Sequence, residues 1–249
     1  MSNVPRLRLF AGPNGSGKST LKQRLPAQWL GHYLNPDDLE RELRQVPLLN
    51  VARFNLPVPD AEAVTAFCRA HPLAAAANLT APTARISAEA DGVRFAGIGI
   101  NSYVASVLSD WLRQQLIATG QSFTFESVMS APAKLDTLRQ ARAAGFRVYL
   151  YYVSTVSAQL NVARVRQRVA EGGHNVAEDK IRERYERSLD LLLPAVRLTD
   201  RAFIFDNSGT GADFKLLAEV TDGRELTIKE TLLPDWFARA VLSKLSGAA

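Results

Sequence analysis

The chain has 249 residues, of which 47% are apolar and 22% charged. This balance is typical of a globular protein with a real core. Its net charge of +5 is compatible with an anionic ligand but does not select one. The single cysteine, Cys68, excludes an internal disulfide and a Cys-based metal cluster. Without a long apolar stretch or a signal-peptide pattern, we expect a cytoplasmic protein with no membrane contact.

The N-terminal part predicts a strand at residues 6–11 and a helix from Lys18 to about Leu25, ended by Pro26. A short strand at 32–34 and a helix at 37–45 follow. Residues 46–100 are rich in proline, with a possible helix at 60–70 and a hairpin turn at Asp91-Gly92. We interpret residues 46–100 as an insertion in a single domain that covers residues 1–249.

After residue 101 strands and helices alternate regularly. One predicted helix begins at Ser102 and is ended by Gly120, and the others are 132–144, 158–171, 177–193 and 235–245. The predicted strands are 122–126, 146–153 and 202–205, with a hairpin at Asp222-Gly223. Strands separated by helices predict an α/β fold of the P-loop NTPase type, a parallel sheet flanked by helices. Ligands of such sheets lie at the carboxyl ends of the strands, here at Gly12, Glu126 and Asp206.

One motif follows the first strand directly and opens a helix. Its residues are Gly12-Pro13-Asn14-Gly15-Ser16-Gly17-Lys18-Ser19-Thr20, a match to G-x-x-x-x-G-K-[ST] in the required strand–helix context. Backbone N–H groups of such a loop form an anion-binding nest, and the helix dipole adds to it. Lys18 is expected to reach the β- and γ-phosphates of ATP, and the Ser19 hydroxyl to bind Mg²⁺.

Other features of the chain favour a kinase among P-loop proteins. A Leu-Ser-Gly-Gly signature and an Asn-Lys-x-Asp guanine reader are absent, and Ser127-Val128 follows Glu126 where many ATPases have an acidic pair. A kinase also needs a proton acceptor for the attacking hydroxyl. Asp37 and Asp38 follow the second strand, with Asp37 as the preferred base and Asp38 as a helix cap; capping by both is the alternative.

Glu126 ends a buried apolar strand, where a carboxylate is costly unless it is solvated, paired or near a metal. We therefore place Glu126 and Ser127 on the substrate side of the site, where Glu126 holds substrate hydroxyls or a metal-bound water. A purely structural hydrogen bond is the alternative for Glu126.

A mobile lid is predicted at about residues 158–193. Arg164 and Arg168 are four residues apart and share a helix face, a Gly172-Gly173 pair allows a hinge, and Arg184 lies on the next helix. These arginines are candidates for clamping the transferred phosphate. A solvated face paired with neighbouring acids is the alternative.

Two further residues are weaker candidates. His174, beside the double glycine, is assigned to substrate contact, with a capping or hinge role as the alternative. Asn207 is assigned to the nucleotide site at the border of an adenine pocket, although Asp206-Asn207-Ser208 equally suits a turn.

Together these residues resemble the zeta-toxin family of P-loop kinases. The similar segments are residues 12–20, 34–37, 122–127, 164–169, 172–174, 184–185 and 205–208. The resemblance implies a kinase that uses ATP and Mg²⁺, with UDP-N-acetylglucosamine phosphorylated on a sugar hydroxyl as the best-known activity. It also implies that Asp37 is the base, that Glu126 is the substrate-side acid and that Arg164 or Arg168, with Arg184, clamps the phosphates.

The resemblance further implies a toxin role with an antitoxin partner. In zeta toxins an arginine often follows the base by three residues, where this chain has Glu40; this departure bears on the nucleotide-sugar substrate more than on kinase chemistry. Two other functions stay open. One is a polynucleotide 5′-hydroxyl kinase, disfavoured because aromatic and basic residues do not interleave along the chain, so nucleic acid is not the expected partner. The other is an ATP-binding switch without transfer activity.

Overall fold

The computed structural model describes residues 4–81, 83–173, 175–210 and 213–246. Its strands are β1 Arg6–Ala11, β2 His32–Leu34, β3 Leu48–Asn50, β4 Arg85–Glu89, β5 Gly92–Ala96, β6 Phe123–Ser127, β7 Arg147–Ser154, β8 Arg201–Asp206, β9 Lys215–Thr221 and β10 Glu225–Ile228. Its α-helices are α1 Lys18–Lys22, α2 Ala27–Leu30, α3 Pro36–Gln45, α4 Ala61–Ala70, α5 Ser102–Ala118, α6 Lys134–Ala143, α7 Ala158–Ala170, α8 Glu178–Asp190, α9 Leu192–Val196, α10 Asp235–Phe237 and α11 Ser243–Ser246. None of the helices in these ranges is both long and apolar enough to cross a bilayer.

The chain divides into two compact units. The first contains Met1–Gly31 and Ser122–Ala249, and the second contains His32–Gln121. The segment predicted as an insertion, residues 46–100, lies within the second unit.

The first unit contains a mostly parallel sheet, which confirms the predicted fold class. Its strands lie in the order β10-β9-β8-β7-β1-β6. Strand β1 is parallel to both β6 and β7, and β7 is parallel to β8, whereas β9 and β10 form an antiparallel hairpin at one edge. Helices α6 and α9 pack against β7, and α1 against β1. The nest follows β1, which lies between two parallel neighbours, so the nest lies at the carboxyl end of a central strand of the sheet.

The second unit contains a small antiparallel sheet in the order β3-β5-β4. The hairpin predicted at Asp91-Gly92 joins β4 to β5. Helix α3 packs on α5, and the buried face of α5 includes Leu108 and Leu112. The predicted cap was wrong: Asn35, not Asp37 or Asp38, caps α3 by accepting a hydrogen bond from the Asp37 N–H at 2.9 Å, with Pro36 in the first turn.

Several predicted helix boundaries were wrong. Helix α1 ends at Lys22 rather than near Leu25, and α6 begins at Lys134, after Pro132. The helix predicted at 177–193 is two helices that meet at Leu191, and the last helix contains a π-helical turn, Ala238–Leu242. Local propensity does not fix such ends, because tertiary packing decides where a helix stops.

Candidate functional site

Three glycines shape the loop between β1 and α1. Gly12, Gly15 and Gly17 have φ values of +137°, +75° and +99°, which residues with a Cβ adopt only with strain. The surrounding backbone also leaves no room for a side chain at two of these glycines. A Cβ on Gly12 would lie 2.0 Å from the Val153 carbonyl oxygen, and one on Gly15 would lie 2.6 Å from that of Asn161. The loop is therefore held close to backbone on both sides, and only glycine fits.

Lys18 is half-buried at the start of α1. Its Nζ donates hydrogen bonds of 2.9 Å to the carbonyl oxygens of Gly12 and Pro13. These bonds hold the ammonium group against the loop, whose backbone N–H groups are expected to bind phosphates.

The Ser19 hydroxyl donates a hydrogen bond of 2.8 Å to Glu126 Oε2. Glu126 is the penultimate residue of β6, and the register pairs it with Phe10, so the carboxylate lies beside the nest. Only 9% of Glu126 is exposed, whereas Ser19 is exposed. A hydroxyl that donates its proton keeps its lone pairs for a cation, and a carboxylate beside it can hold metal-bound water. The Ser19–Glu126 pair therefore fits an Mg²⁺ ion, and in that arrangement Glu126 faces the metal position beside Ser19.

Asn207 joins the end of β8 to the nest. Its Nδ2 donates a hydrogen bond of 2.8 Å to the Ser16 carbonyl oxygen, and its N–H bonds the Ser154 carbonyl oxygen at 2.8 Å. A Cβ on Gly17 would lie 2.4 Å from this Nδ2. Asp206, the last residue of β8, stabilises the turn after the strand. It accepts hydrogen bonds from the N–H and the hydroxyl of Ser208 and from Trp236 Nε1.

Arg164 on α7 holds the same loop. Its guanidinium donates hydrogen bonds of 2.7 Å to the Asn207 carbonyl oxygen and 2.9 Å to that of Gly209. Arg164 is thus connected to the nest indirectly, because Asn207 bonds both Arg164 and Ser16. The other lid arginines differ: Arg168 is exposed on the last turn of α7, and Arg184 is half-buried on α8.

Helices α7 and α8 pack together through Val162, Val165 and Ile181. Tyr185 anchors α8, because its hydroxyl donates a hydrogen bond of 2.6 Å to the Thr155 carbonyl oxygen just after β7. Burial is the main cause that raises the pKa of Tyr185 to about 12, so the phenol stays protonated and keeps this bond. His174, between the two helices, lies outside the described residues.

Four buried polar atoms around the nest have no partner among the described residues. They are Asn14 Oδ1, Ser16 Oγ, Asn161 Nδ2 and Asn207 Oδ1. Buried polar groups are nearly always satisfied, so their clustering here fits a polar ligand. Sequence reasoning missed Asn161, which is fully buried and whose backbone packs on Gly15. The available signal was a polar residue four positions before the buried Val165, on the same helix face.

Asp37 and Asp38 belong to the second unit, Asp37 exposed and Asp38 paired with Arg41 at 2.5 Å. Ser127 accepts a hydrogen bond of 2.9 Å from the Met129 N–H. Glu40, which stands where the resemblance implies an arginine, is buried and bonds Arg44 through both Nε and Nη2.

The sheet order and the glycine nest between β1 and α1 define a P-loop-type α/β fold. Residues 99–214 match the family model described as Zeta toxin, which confirms the resemblance inferred from the sequence. The matched segment includes Glu126, Arg164, Arg168, Arg184 and Asn207, and it begins after the nest and Asp37.

Similar proteins agree with this fold. A stretch of 63 residues is 36% identical to an "Uncharacterized protein" of Haemophilus influenzae, which covers 25% of this chain and 45% of that protein. A crystal structure of AvrRxo1-ORF1:AvrRxo1-ORF2 with sulphate ions is similar with a TM-score of 0.53 and 14% identity, over 92% of this chain and 62% of that one. The PezAT chromosomal toxin–antitoxin system of Streptococcus pneumoniae is similar with a TM-score of 0.51 and 14% identity, over 97% and 80%.

Proposed function

We propose that this chain is a zeta-toxin-type kinase that transfers the γ-phosphate of ATP to a hydroxyl of a small molecule, a nucleotide sugar such as UDP-N-acetylglucosamine. The observation that carries the proposal is the Ser19–Glu126 hydrogen bond of 2.8 Å beside a glycine nest with Lys18 folded over it. This is the arrangement that phosphoryl transfer needs: a phosphate cradle, a cation and a metal position at one edge of a sheet.

The nest and Lys18 bind the phosphates and neutralise their charge, while Ser19 and Glu126 hold the Mg²⁺ position. Mg²⁺ held there would supply positive charge that offsets the charge of the phosphates. The acceptor oxygen forms a bond to the γ-phosphorus, the bond from that phosphorus to the β–γ bridging oxygen breaks, and ADP leaves. In the proposal Asp37 takes the hydroxyl proton, and Arg164, Arg168 and Arg184 stabilise the charge on the transferred group.

Acceptor-dependent ADP release tests the proposal. The purified chain is incubated with ATP, Mg²⁺ and either UDP-N-acetylglucosamine, free sugars or a cell metabolite extract, and new phosphorylated species are identified by mass. ADP release should rise with an acceptor, and Lys18→Ala should lower the rate about 100-fold, whereas Lys22→Ala on the same helix should retain it. Slow hydrolysis that no acceptor accelerates would instead support an ATP-binding switch.

A toxin role with an antitoxin partner is part of the same proposal. The match to the Zeta toxin model and the fold similarity to the PezAT system support it. Expression of the wild-type chain should slow bacterial growth, and expression of Lys18→Ala should not. Equal growth of the two strains at equal protein levels would contradict the toxin role while leaving kinase chemistry in place.

A further inference from the structure

One face of the first unit's sheet combines arginines and aromatic rings contributed by three strands. Arg6, Arg8 and Phe10 alternate along β1, so their side chains share a face. The register places Arg147, Tyr149 and Tyr151 of β7 beside them, and Arg201 and Phe203 of β8 beyond. We call the set Arg6, Arg8, Arg147, Tyr149, Arg201 and Phe203 the arginine–aromatic strip. It begins at the amino ends of the strands, opposite the edge that carries the nest.

The rings and guanidinium groups of this strip contact each other. The Arg8 guanidinium lies 5.3 Å from the Tyr149 ring centroid, and that of Arg201 lies 5.2 Å from the Phe203 centroid. Behind them Phe10, Tyr151 and Phe203 stack, with centroids 4.8 and 5.2 Å apart. Cation–π contacts and stacking hold these side chains in fixed orientations.

The positive charge of the strip is only partly compensated. Arg6 and Arg147 stand directly opposite each other on neighbouring strands, a repulsive arrangement. Neither of them, nor Arg8, forms an ion pair with any residue that the structure describes. Arg8 is only 6% exposed; its side chain hydrogen-bonds Tyr151, and its Nε has no partner in the same residues. A buried guanidinium without a carboxylate is costly, so an anion beside it would be stabilising.

Three acids share this face, Glu126 at the carboxyl end of the sheet and Glu219 and Glu225 on the edge hairpin, and of the hairpin pair Glu219 is bonded to cations. Glu219 accepts a hydrogen bond of 2.7 Å from Arg201 and lies 3.7 Å from Lys229 Nζ. Tyr149 and Phe203 are half-buried, and Arg147 and Arg201 are exposed. The strip therefore combines two half-buried rings with two exposed guanidinium groups.

We propose that the arginine–aromatic strip binds single-stranded nucleic acid, with phosphates at Arg6 and Arg147 and a base packed against Tyr149. Sequence-tolerant single-strand sites combine a basic track with aromatic rings on which bases stack. Neighbouring strands lie about 4.8 Å apart, so the two arginines present a pair of cations close enough for one backbone segment. The site is separate from the nest and stands whether or not the chain transfers phosphate.

The test is fluorescence anisotropy of a labelled 12-nucleotide oligo(dT) titrated with the full chain at several salt concentrations. Arg6→Ala with Arg147→Ala should weaken binding at least tenfold and lower the salt slope, because fewer phosphate contacts release fewer counterions. Tyr149→Leu should weaken binding about 5- to 100-fold, and Tyr149→Phe, which keeps the ring, should restore it.

The matched control is Arg139→Ala, which removes the same charge from α6, where Arg139 is exposed and paired with Asp136. This variant should bind like the wild type. Absence of binding at low salt, or an equal loss of affinity in Arg139→Ala, would overturn the proposal. Displacement of the oligonucleotide by ATP would also overturn it, because it would place the oligonucleotide at the nest. Equally tight competition from polyglutamate would overturn it as well, because the strip would then be a site for acidic protein.

Discussion

The side-chain amide of Asn207 bonds the Ser16 carbonyl oxygen at 2.8 Å, while the Asn207 carbonyl oxygen accepts a bond of 2.7 Å from Arg164. One residue after β8 thus connects the phosphate nest to the helix that carries the candidate clamp. The nest and Arg164 are expected to respond to a ligand together, since a shift of the Ser16 carbonyl moves the loop that Arg164 holds.

Substitution of Gly17 should destroy the nest. Gly17→Ala forces a Cβ onto a residue with φ of +99° and brings it within 2.4 Å of Asn207 Nδ2. ATP affinity, measured by calorimetry, should fall at least about tenfold, because the N–H groups lose their alignment. Gly120→Ala is the control: it has φ of +65° and open space around it, so it should cost about 1 kcal/mol of stability and leave ATP affinity unchanged.

Removal of the Glu126 charge should weaken the Mg²⁺ position. Glu126→Gln keeps the shape and can still accept the Ser19 bond, but it loses the negative charge that holds a hydrated cation. The rate should fall about 100-fold at low Mg²⁺ and recover in part at high Mg²⁺. A rate loss that Mg²⁺ concentration does not change would assign Glu126 to the acceptor side instead.

Arg164 should matter more than its neighbour on the same helix. Arg164→Ala removes both bonds to the loop after β8 and a cation beside the nest, so kcat/KM for ATP should fall about 100-fold. Arg166→Ala loses only an exposed pair with Glu178, and its kcat/KM should stay within about twofold. Similar losses in both variants would show that helix charge as a whole, not Arg164, acts on the phosphates.

Substitution of the two neighbouring aspartates, Asp37 and Asp38, should have different effects on phosphate transfer. Asp37→Ala should abolish transfer while ATP binding persists, because proton acceptance is lost and the nest is untouched. Asp38→Ala loses an exposed pair with Arg41 and should retain most activity. If Asp38→Ala alone removes activity, the base is Asp38.

Cys68 should be unreactive in the folded chain. Burial raises the pKa of its thiol from about 9 to about 12, so below that pH the thiol remains protonated and lacks the nucleophilic thiolate. A thiol reagent at pH 8 should react only after denaturant unfolds the chain. The folding free energy linked to this thiol is fully present below pH 9 and is lost as the pH rises toward 12.

The contiguous parts of the site could be predicted from the sequence. The geometry of residues 12–20 follows from the motif itself, because the glycines, the lysine and the following helix are neighbours in the chain. The ends of β6 and β8 could be predicted because each is a buried strand with polar residues at its end. The bond partners could not be predicted: Asn207 and Ser16 are 191 residues apart, and the polar residue Asn161 is informative only once its helix face is known to be buried.

The sequence by itself determined an α/β chain with a phosphate-binding loop and a zeta-toxin-like set of residues, because local periodicity and a nine-residue motif depend on near neighbours. Only the tertiary structure decided that Ser19 bonds Glu126, that Arg164 holds the loop of Asn207, and that arginines and aromatic rings from β1, β7 and β8 share one face. Each of these strands places an arginine two residues before an aromatic ring, and strand pairing brings the three short alternations together from segments more than fifty residues apart.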